Sequence, residues 1–116
     1  MLVPGAQAYK RVLQSAAVAT GNGTAVTCTA GGEGSYASLT LQVQGITTAT
    51  ITWEATIDGT NWIAIQAIPL ATGTAATTTT ADGLFRVNVT GLVSFRARIS
   101  AYTSGTITVT GVLAAV

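Results

Sequence analysis

Apolar and polar residues alternate with a period of two along most of this chain. A strand places successive side chains on opposite faces, whereas a helix would scatter the same apolar residues around its circumference. In one segment the apolar positions are Ile51, Trp53, Ala55 and Ile57. The pattern predicts β-strands with one buried and one outward face. It is clearest in residues 36–44, 50–57, 84–90, 95–102 and 106–110.

Weaker alternation and frequent turn residues divide the rest of the chain. The dipeptides Asp58-Gly59 and Asp82-Gly83 favour tight hairpins, because type I′ turns need positive φ angles at both central residues. No strand–helix alternation is present, so the sequence predicts an all-β fold: one antiparallel β-sandwich of jelly-roll type with about eight strands, over residues 12–116. The weaker strands are predicted at residues 11–20, 24–30, 62–68 and 74–80.

The first eleven residues carry no alternation and include Pro4 and Gly5. They are predicted to form an N-terminal arm, residues 1–11, that becomes ordered on a partner. The start of the chain lacks the basic and apolar regions of a secretion signal, and no apolar run approaches the roughly 20 residues of a membrane helix. We therefore expect neither a cleaved signal peptide nor a membrane partner.

Charged residues are unusually few. Five basic and four acidic residues give a net charge of +1, and the mean hydropathy is +0.52. Such a chain has little to keep it soluble as a monomer. We expect it to bury part of its exterior in a homo-oligomer, with a trimer favoured, or in a larger assembly; the alternative is a threonine-coated monomer. The small net charge gives no long-range field for nucleic acid, so no such partner is expected.

The residues that most enzymes use for catalysis are scarce. The chain has no histidine and one cysteine, which removes the commonest general base and thiolate metal clusters. Cys28 lies in a strand-like segment and is expected to be a small buried residue. Folding could still pair carboxylates for glycoside hydrolysis, such as Glu54 with Asp58 or Asp82, although both aspartates are explained as turn residues. We expect no catalytic residues, no cofactor and no metal site.

Two tryptophans flank the Asp58-Gly59 dipeptide. Trp53 occupies an apolar position of its strand and is predicted to lie in the core. Trp62 is also favoured as a core residue; alternatively it lies at a loop edge, where its ring would stack on a sugar. The candidate glycan-binding residues are therefore Asn61, Trp62 and Tyr102.

Three arginines occupy polar positions of two consecutive predicted strands: Arg86, Arg96 and Arg98. If these strands pair as a hairpin through Gly91, the guanidinium groups form a basic stripe. A stripe of this kind suits a contact between subunits, because arginine pairs with carboxylates in bidentate geometry and is enriched in interfaces. The alternative is a set of solvated charges, paired in part with Glu54.

Both ends of the chain are candidates for contact with a partner. The apolar residues 112–116 are expected to finish the last strand or to pack under a neighbour, and the N-terminal arm to add to the edge of a neighbour's sheet. The candidate interface residues at the two ends are Leu2, Val3, Tyr9, Lys10, Arg11, Val112 and Val116.

Three runs of sequence are distinctive. They are ATITWEATIDGTNWIAI (residues 49–65), ADGLFRVNVTGL (residues 81–92) and FRARISAYTSGTITVTG (residues 95–111). Together they resemble a β-sandwich module of structural proteins in tailed bacteriophages and prophages. The resemblance covers roughly residues 35–111. In that family the module occurs in small virion proteins and in longer head-fibre and tail proteins. The resemblance is therefore more specific for the fold than for the role. It implies no catalytic residues.

A module that stands almost alone favours one role within that family. It implies a capsid decoration, or cement, protein that stabilises the shell by protein–protein contacts in the virion, after synthesis in the host bacterial cytoplasm. Many copies on a lattice would make weak single contacts strong. The alternative is a tail, neck or fibre module that recognises host surface glycans through Asn61, Trp62 and Tyr102.

Overall fold

The computed structural model describes residues 8–29 and 36–115, and all of their regular structure is β-strand with antiparallel pairing. This confirms the predicted all-β antiparallel fold. No segment of the described chain forms a helix long and apolar enough to cross a membrane. The strands are β1 (Ala8–Ala17), β2 (Val26–Thr27), β3 (Ser38–Thr56), β4 (Ile63–Ala64), β5 (Ile68–Pro69), β6 (Thr78–Thr79), β7 (Gly83–Asn88) and β8 (Ser94–Ala114).

The two longest strands organise the sheet. β3 and β8 pair with each other from Ser38 opposite Ala114 to Thr56 opposite Ser94. β1 and β7 flank this pair, which gives the strand order β1-β8-β3-β7-β5. β2 adds to β8, and β4 and β6 add to β3. The sheet is therefore built on one long pair of strands that are distant in sequence.

Both long strands bend at a glycine. Gly45 in β3 and Gly105 in β8 have φ angles of 91° and 124°, which residues with a side chain rarely adopt. The β3–β8 register shifts on either side of Ile46, and a β-carbon on Gly45 would overlap the Thr106 carbonyl oxygen. The Asp82 carboxylate accepts hydrogen bonds from the backbone N–H groups of Gly45 and Ile46, at 3.1 and 2.9 Å. Asp82 therefore holds the bend in place.

The bend folds the sheet into two layers. Layer A is formed by β1, β5, β7, residues 38–44 of β3 and residues 106–114 of β8; layer B is formed by β2, β4, β6, residues 49–56 of β3 and residues 94–102 of β8. The Trp53 ring of layer B packs against Phe85 of layer A, with ring centroids 5.2 Å apart. The apolar faces of the two layers therefore form one core. Its large, fully buried side chains include Leu39, Leu41, Val43, Ile51, Trp53, Phe95, Ile99, Ile107 and Val109.

The core holds most of the residues that the alternation predicted for it, with Ile57 as an exposed exception. Trp53 and Cys28 are fully buried, as expected. Burial raises the pKa of the Cys28 thiol to about 11, so the thiol stays protonated and unreactive at neutral pH.

Several strand boundaries differ from those predicted. Residues 36–44 and 50–57 contribute to one strand, β3, rather than to two, and residues 62–68 contain only the two-residue strands β4 and β5. Residues 8–11, which the sequence analysis placed in the arm, belong to β1, where Ala8 lies opposite Ala114. The remainder of the predicted arm, residues 1–7, lies outside the described residues.

The two Asp-Gly dipeptides do not form two-residue hairpin turns. β3 and β4 do form a hairpin, with Ala55 opposite Ile63, but Asp58 and Gly59 lie within a longer loop, residues 57–62. Asp82 precedes β7, whose paired neighbours in the described sheet are β3 and β5. Its carboxylate supports the bend at Gly45 instead of a local turn.

Candidate functional site

The outward surface of layer A carries an unusual number of aliphatic side chains. Two neighbouring rows of residues cross its strands, and we call their ten residues the aliphatic face. The first row contains, in order across the sheet, Lys10, Val112, Thr40, Arg86 and Ile68. The second row contains Val12, Thr110, Gln42, Leu84 and Leu70, the last bonded to Leu84 through its backbone N–H.

Half of the aliphatic face is apolar and open to solvent. Leu84 is 49% exposed and Val112 is 41% exposed, and the three other aliphatic side chains are exposed to a similar degree. On a sheet with one buried face, the outward positions are usually polar. A cluster of exposed aliphatic side chains does little for the stability of a monomer and is typical of a surface that contacts another molecule.

The charges on the aliphatic face have one sign. Lys10 and Arg86 lie in the same row, and none of the other eight residues is charged. At one side, Leu70 and Leu84 line a groove of about 600 Å³ together with Gln42 and Asp82. The surface therefore suits a partner that offers apolar side chains with polar groups at their border.

The structure brings together three of the predicted interface residues. Lys10, Arg86 and Val112 share one row of the aliphatic face. Tyr9 and Arg11 occupy the alternate positions of β1, where the Arg11 guanidinium lies 5.4 Å from the centre of the Tyr9 ring. Three further predicted interface residues lie outside the described residues: Leu2, Val3 and Val116.

Seven of the ten residues of the aliphatic face were not in the list of candidate interface residues: Val12, Thr40, Gln42, Ile68, Leu70, Leu84 and Thr110. The signal for Leu84 was present in the sequence, because it occupies a position of the alternation at which Arg86 and Asn88 are polar. An apolar residue at an outward position, where the alternation otherwise places polar residues, can indicate a surface that contacts another molecule. Ile68 and Leu70 could not be placed in this way, because their segment is apolar at both alternate positions.

A polar cluster lies on the outward surface of layer B. The Glu54 side chain is 10% exposed. Its carboxylate accepts one hydrogen bond on each oxygen, from Arg96 Nε at 2.8 Å and from Arg98 Nε at 3.0 Å. The pairing follows from the register, since β3 places Glu54 opposite Arg96 on β8. The pairing with Glu54, one of the two alternatives for these arginines, is therefore present.

Arg86 does not join these two arginines, so the basic stripe of three is not formed. The stripe required a hairpin of β7 and β8 through Gly91. Instead, β3 lies between β7 and β8 in the sheet. Arg86 belongs to layer A, whereas Arg96 and Arg98 belong to layer B.

Trp62 packs on the polar cluster from the neighbouring loop. The Arg96 Cζ atom lies 4.2 Å from the centre of the Trp62 ring, and Trp62 is half-buried. The Asp58 carboxylate organises this loop by accepting hydrogen bonds from the backbone N–H groups of Thr60 and Asn61 and from Asn61 Nδ2. These hydrogen bonds hold the pKa of the Asp58 carboxyl well below its usual value, and the one from the Asn61 backbone N–H has the largest effect. Asn61 and Trp62 are thus held next to each other.

Tyr102 lies far from this loop. It is six residues beyond Arg96 on β8, about 20 Å along an extended strand. Its ring packs at the border of the core, and its hydroxyl donates to the Gly105 carbonyl at 2.5 Å. The three predicted glycan-binding residues therefore do not form one site.

The carboxylates of the described residues each have a structural partner. Glu54 accepts from two arginines, Asp58 accepts from its own loop and Asp82 accepts from the backbone at the bend. No group of three or more side chains able to hold a metal ion occurs in residues 8–29 and 36–115.

Comparison with known proteins finds a family model and solved structures that share this fold. The sequence model of the XepA family matches residues 7–113. The PBSX exported protein XepA superposes with a TM-score of 0.84 at 18% identity, over 93% of this chain and 38% of that one. The SPBc2 prophage-derived protein YomS superposes with a TM-score of 0.80 at 17% identity, over 98% of this chain and 96% of that one. No curated protein matches the sequence.

The two solved structures differ in how much of them this chain represents. The chain spans 38% of the length of the PBSX protein, so it corresponds to one part of that molecule. It spans nearly all of the SPBc2 protein. At these identities the likeness shows a shared fold.

Proposed function

Because the chain belongs to the XepA family and is thereby phage-associated, we propose that it is a structural protein of a phage that works through protein–protein contacts. The observation that carries the proposal is the aliphatic face. In its specific form, the chain is a homo-oligomeric capsid decoration protein, and its role is to stabilise the shell by bridging neighbouring shell subunits. No catalysis, cofactor or metal is part of this proposal.

The energetics of the aliphatic face favour assembly in many copies over a tight pair. Full burial of an aliphatic side chain contributes roughly 1.5–3 kcal/mol, so covering the exposed half of one contributes about 1 kcal/mol. The five aliphatic residues of one copy together supply roughly 5 kcal/mol, and the surface that covers them adds at most a similar amount, so the sum lies within the 4–15 kcal/mol that association costs. One such contact is weak. A ring, or a lattice with several contacts per molecule, makes it strong.

The edge of the sheet is less suited to the contact than its face. β1 is the outermost long strand, and a free edge can accept a strand from another chain. Its register with β8 shifts twice, between Val12 and Gln14 and between Gln14 and Ala17, and it carries Lys10 and Arg11. Bulges and cations are features that prevent edge-to-edge pairing. The aliphatic face is therefore the principal contact in this proposal.

The decoration role predicts that the protein travels with phage particles. After induction and purification of particles on a density gradient, we expect the chain to co-sediment with the shell proteins at many copies per particle. Particles that lack the chain are expected to release DNA at a lower temperature than complete particles. Quantitative mass spectrometry of the gradient fractions measures the first effect, and a DNA-binding dye measures the second.

A different distribution would contradict the decoration role. Recovery of the chain from the medium, with none on the particles, would instead match the description of the PBSX relative as an exported protein. Retention on particles with unchanged heat release would remove the stabilising part of the proposal.

A second candidate function is recognition of host surface glycans by a tail, neck or fibre module. The observation that favours it is the half-buried ring of Trp62 beside Asn61. Tyr102 is too distant to take part. We expect saccharide-dependent binding on a glycan array that is lost in Trp62→Ala and kept in Asn88→Ala, an exposed position of layer A. Equal signals from both variants would refute this function.

A further inference from the structure

The arginines of layer B have most of their hydrogen-bond donors free. Among the hydrogen bonds of the described residues, Arg96 and Arg98 each contribute through Nε alone. An arginine has five N–H donors, so the Nη groups of both residues have no partner in this part of the protein. No buried side-chain nitrogen or oxygen there lacks a hydrogen-bond partner. The Nη groups therefore reach solvent.

This arrangement differs from an ordinary ion pair. An arginine often binds a carboxylate through two parallel hydrogen bonds. Here one buried carboxylate, that of Glu54, accepts from the Nε atoms of two guanidinium groups. The two arginines lie two residues apart on one strand, about 6.6 Å along it. Glu54 therefore aligns two arginines side by side and turns their free donors outward.

The charge of the cluster is not balanced by the described residues. Glu54 neutralises one of the two arginines and leaves a charge of +1. Asp58 belongs to the loop that carries Trp62, but its carboxylate accepts hydrogen bonds from Thr56, Thr60 and Asn61. Asp82 is bound to the backbone at the bend. A further anion would complete the cluster.

We propose that Arg96 and Arg98 form a binding site for a phosphate group, with Trp62 as its wall. Phosphate matches two adjacent guanidinium groups, because its oxygens can accept several N–H donors at once. The Trp62 ring covers one face of the Arg96 guanidinium at 4.2 Å, so it restricts rotation and limits access of water from that side. The hydroxyls of Thr52 and Ser100 lie next to Arg98 on the same surface, 2.8 Å from each other, and supply further polar contacts.

The phosphate group has two sources: the free ion or a phosphorylated sugar. The sugar would place its ring beside Trp62 and Asn61 at the end of the cluster. The site lies on layer B, apart from the aliphatic face of layer A, so its failure would leave the assembly proposal intact.

An NMR titration of the intact chain tests the site. Inorganic phosphate, glucose 1-phosphate and glucose are added in separate titrations at constant ionic strength, with sodium chloride as the salt control. We expect saturable shifts of the Nε–H signals of Arg96 and Arg98 and of the Trp62 indole N–H with both phosphates. Tighter binding of glucose 1-phosphate identifies a phosphorylated sugar, and equal affinity identifies the phosphate ion; both results support the site.

Two variants make the result specific. Arg98→Gln removes the more exposed of the two arginines, with a side-chain exposure of 36% against 16% for Arg96. This variant is expected to weaken phosphate binding at least tenfold, while the rest of its amide spectrum remains that of the folded protein. Arg86→Gln removes an exposed arginine of layer A and is expected to leave the affinity unchanged. Equal affinity in Arg98→Gln and the unaltered chain, or the same shifts with chloride, would overturn the proposal.

Discussion

Alanine at Gly45 is expected to lower the free energy of unfolding by roughly 4 kcal/mol or more, an effect as large as that of the most damaging core substitutions. Two causes act together. The φ angle of 91° is unfavourable for any residue with a side chain, and the new β-carbon would overlap the Thr106 carbonyl oxygen. That oxygen belongs to β8, so the clash can be relieved only if the two long strands move apart at the bend. Urea denaturation followed by tryptophan fluorescence measures the loss.

Gly59 provides the matched control for the clash. It also has a positive φ angle, 81°, but a β-carbon there would meet no atom within 4 Å. Gly59→Ala is therefore expected to cost only the backbone term, roughly 1–2 kcal/mol. If Gly45→Ala and Gly59→Ala are equally stable, close contact at the bend is not what holds the two layers in place.

Two acidic substitutions on the aliphatic face are expected to convert the proposed oligomer to a monomer. Leu84→Glu and Val112→Glu together place two carboxylates in adjacent rows of the surface, where burial against a neighbour would leave each charge without a solvent shell. Both side chains point outward and are nearly half exposed, so the fold itself should tolerate the change. The expected result is a fall in solution mass to that of one chain, measured by light scattering, with an unchanged circular dichroism spectrum.

The control adds the same two charges elsewhere. Ala101 and Thr103 are exposed positions of β8 outside the aliphatic face, so Ala101→Glu with Thr103→Glu changes the net charge equally. This control is expected to keep the mass of the unaltered protein. Dissociation of both double variants would point to general charge repulsion and would remove the aliphatic face from the account.

The period-two pattern predicted most of the residues that form the core. Leu39, Val43, Val87 and Val109 are buried because each is inward-facing on its strand, and one face of a strand can be read without knowledge of its neighbours. Ile57 shows where such prediction ends. It continues the inward parity of Trp53 and Ala55, but β3 stops at Thr56 and Ile57 is 71% exposed.

The bend and the strand order were not predictable, because both depend on contacts between distant residues. Residues 45–49 look like a connection between two strands, and only their pairing with β8 shows that the sheet continues through the bend. The basic stripe failed for the same reason. Consecutive strands often pair, but β7 pairs with β3, and Arg86 is thereby separated from Arg96 and Arg98.

The candidate sites were predictable only in part. The pairing of Arg96 and Arg98 with Glu54 was one of two alternatives, and Lys10, Arg86 and Val112 were named as separate contact residues. That these residues form one surface with Leu84 and Ile68 could be seen only from the cross-strand register, because the register places residues from neighbouring strands in two rows. Period two gives the face of a side chain but not its neighbours across the sheet.

The solution mass of the unaltered protein, measured by multi-angle light scattering over a wide range of concentration, shows whether copies of this chain associate. One chain has a mass of 11.6 kDa. We expect a discrete multiple of this mass, which also gives the number of subunits and tests the expected trimer. A mass of one chain at every concentration would contradict the claim that the aliphatic face joins copies of this protein.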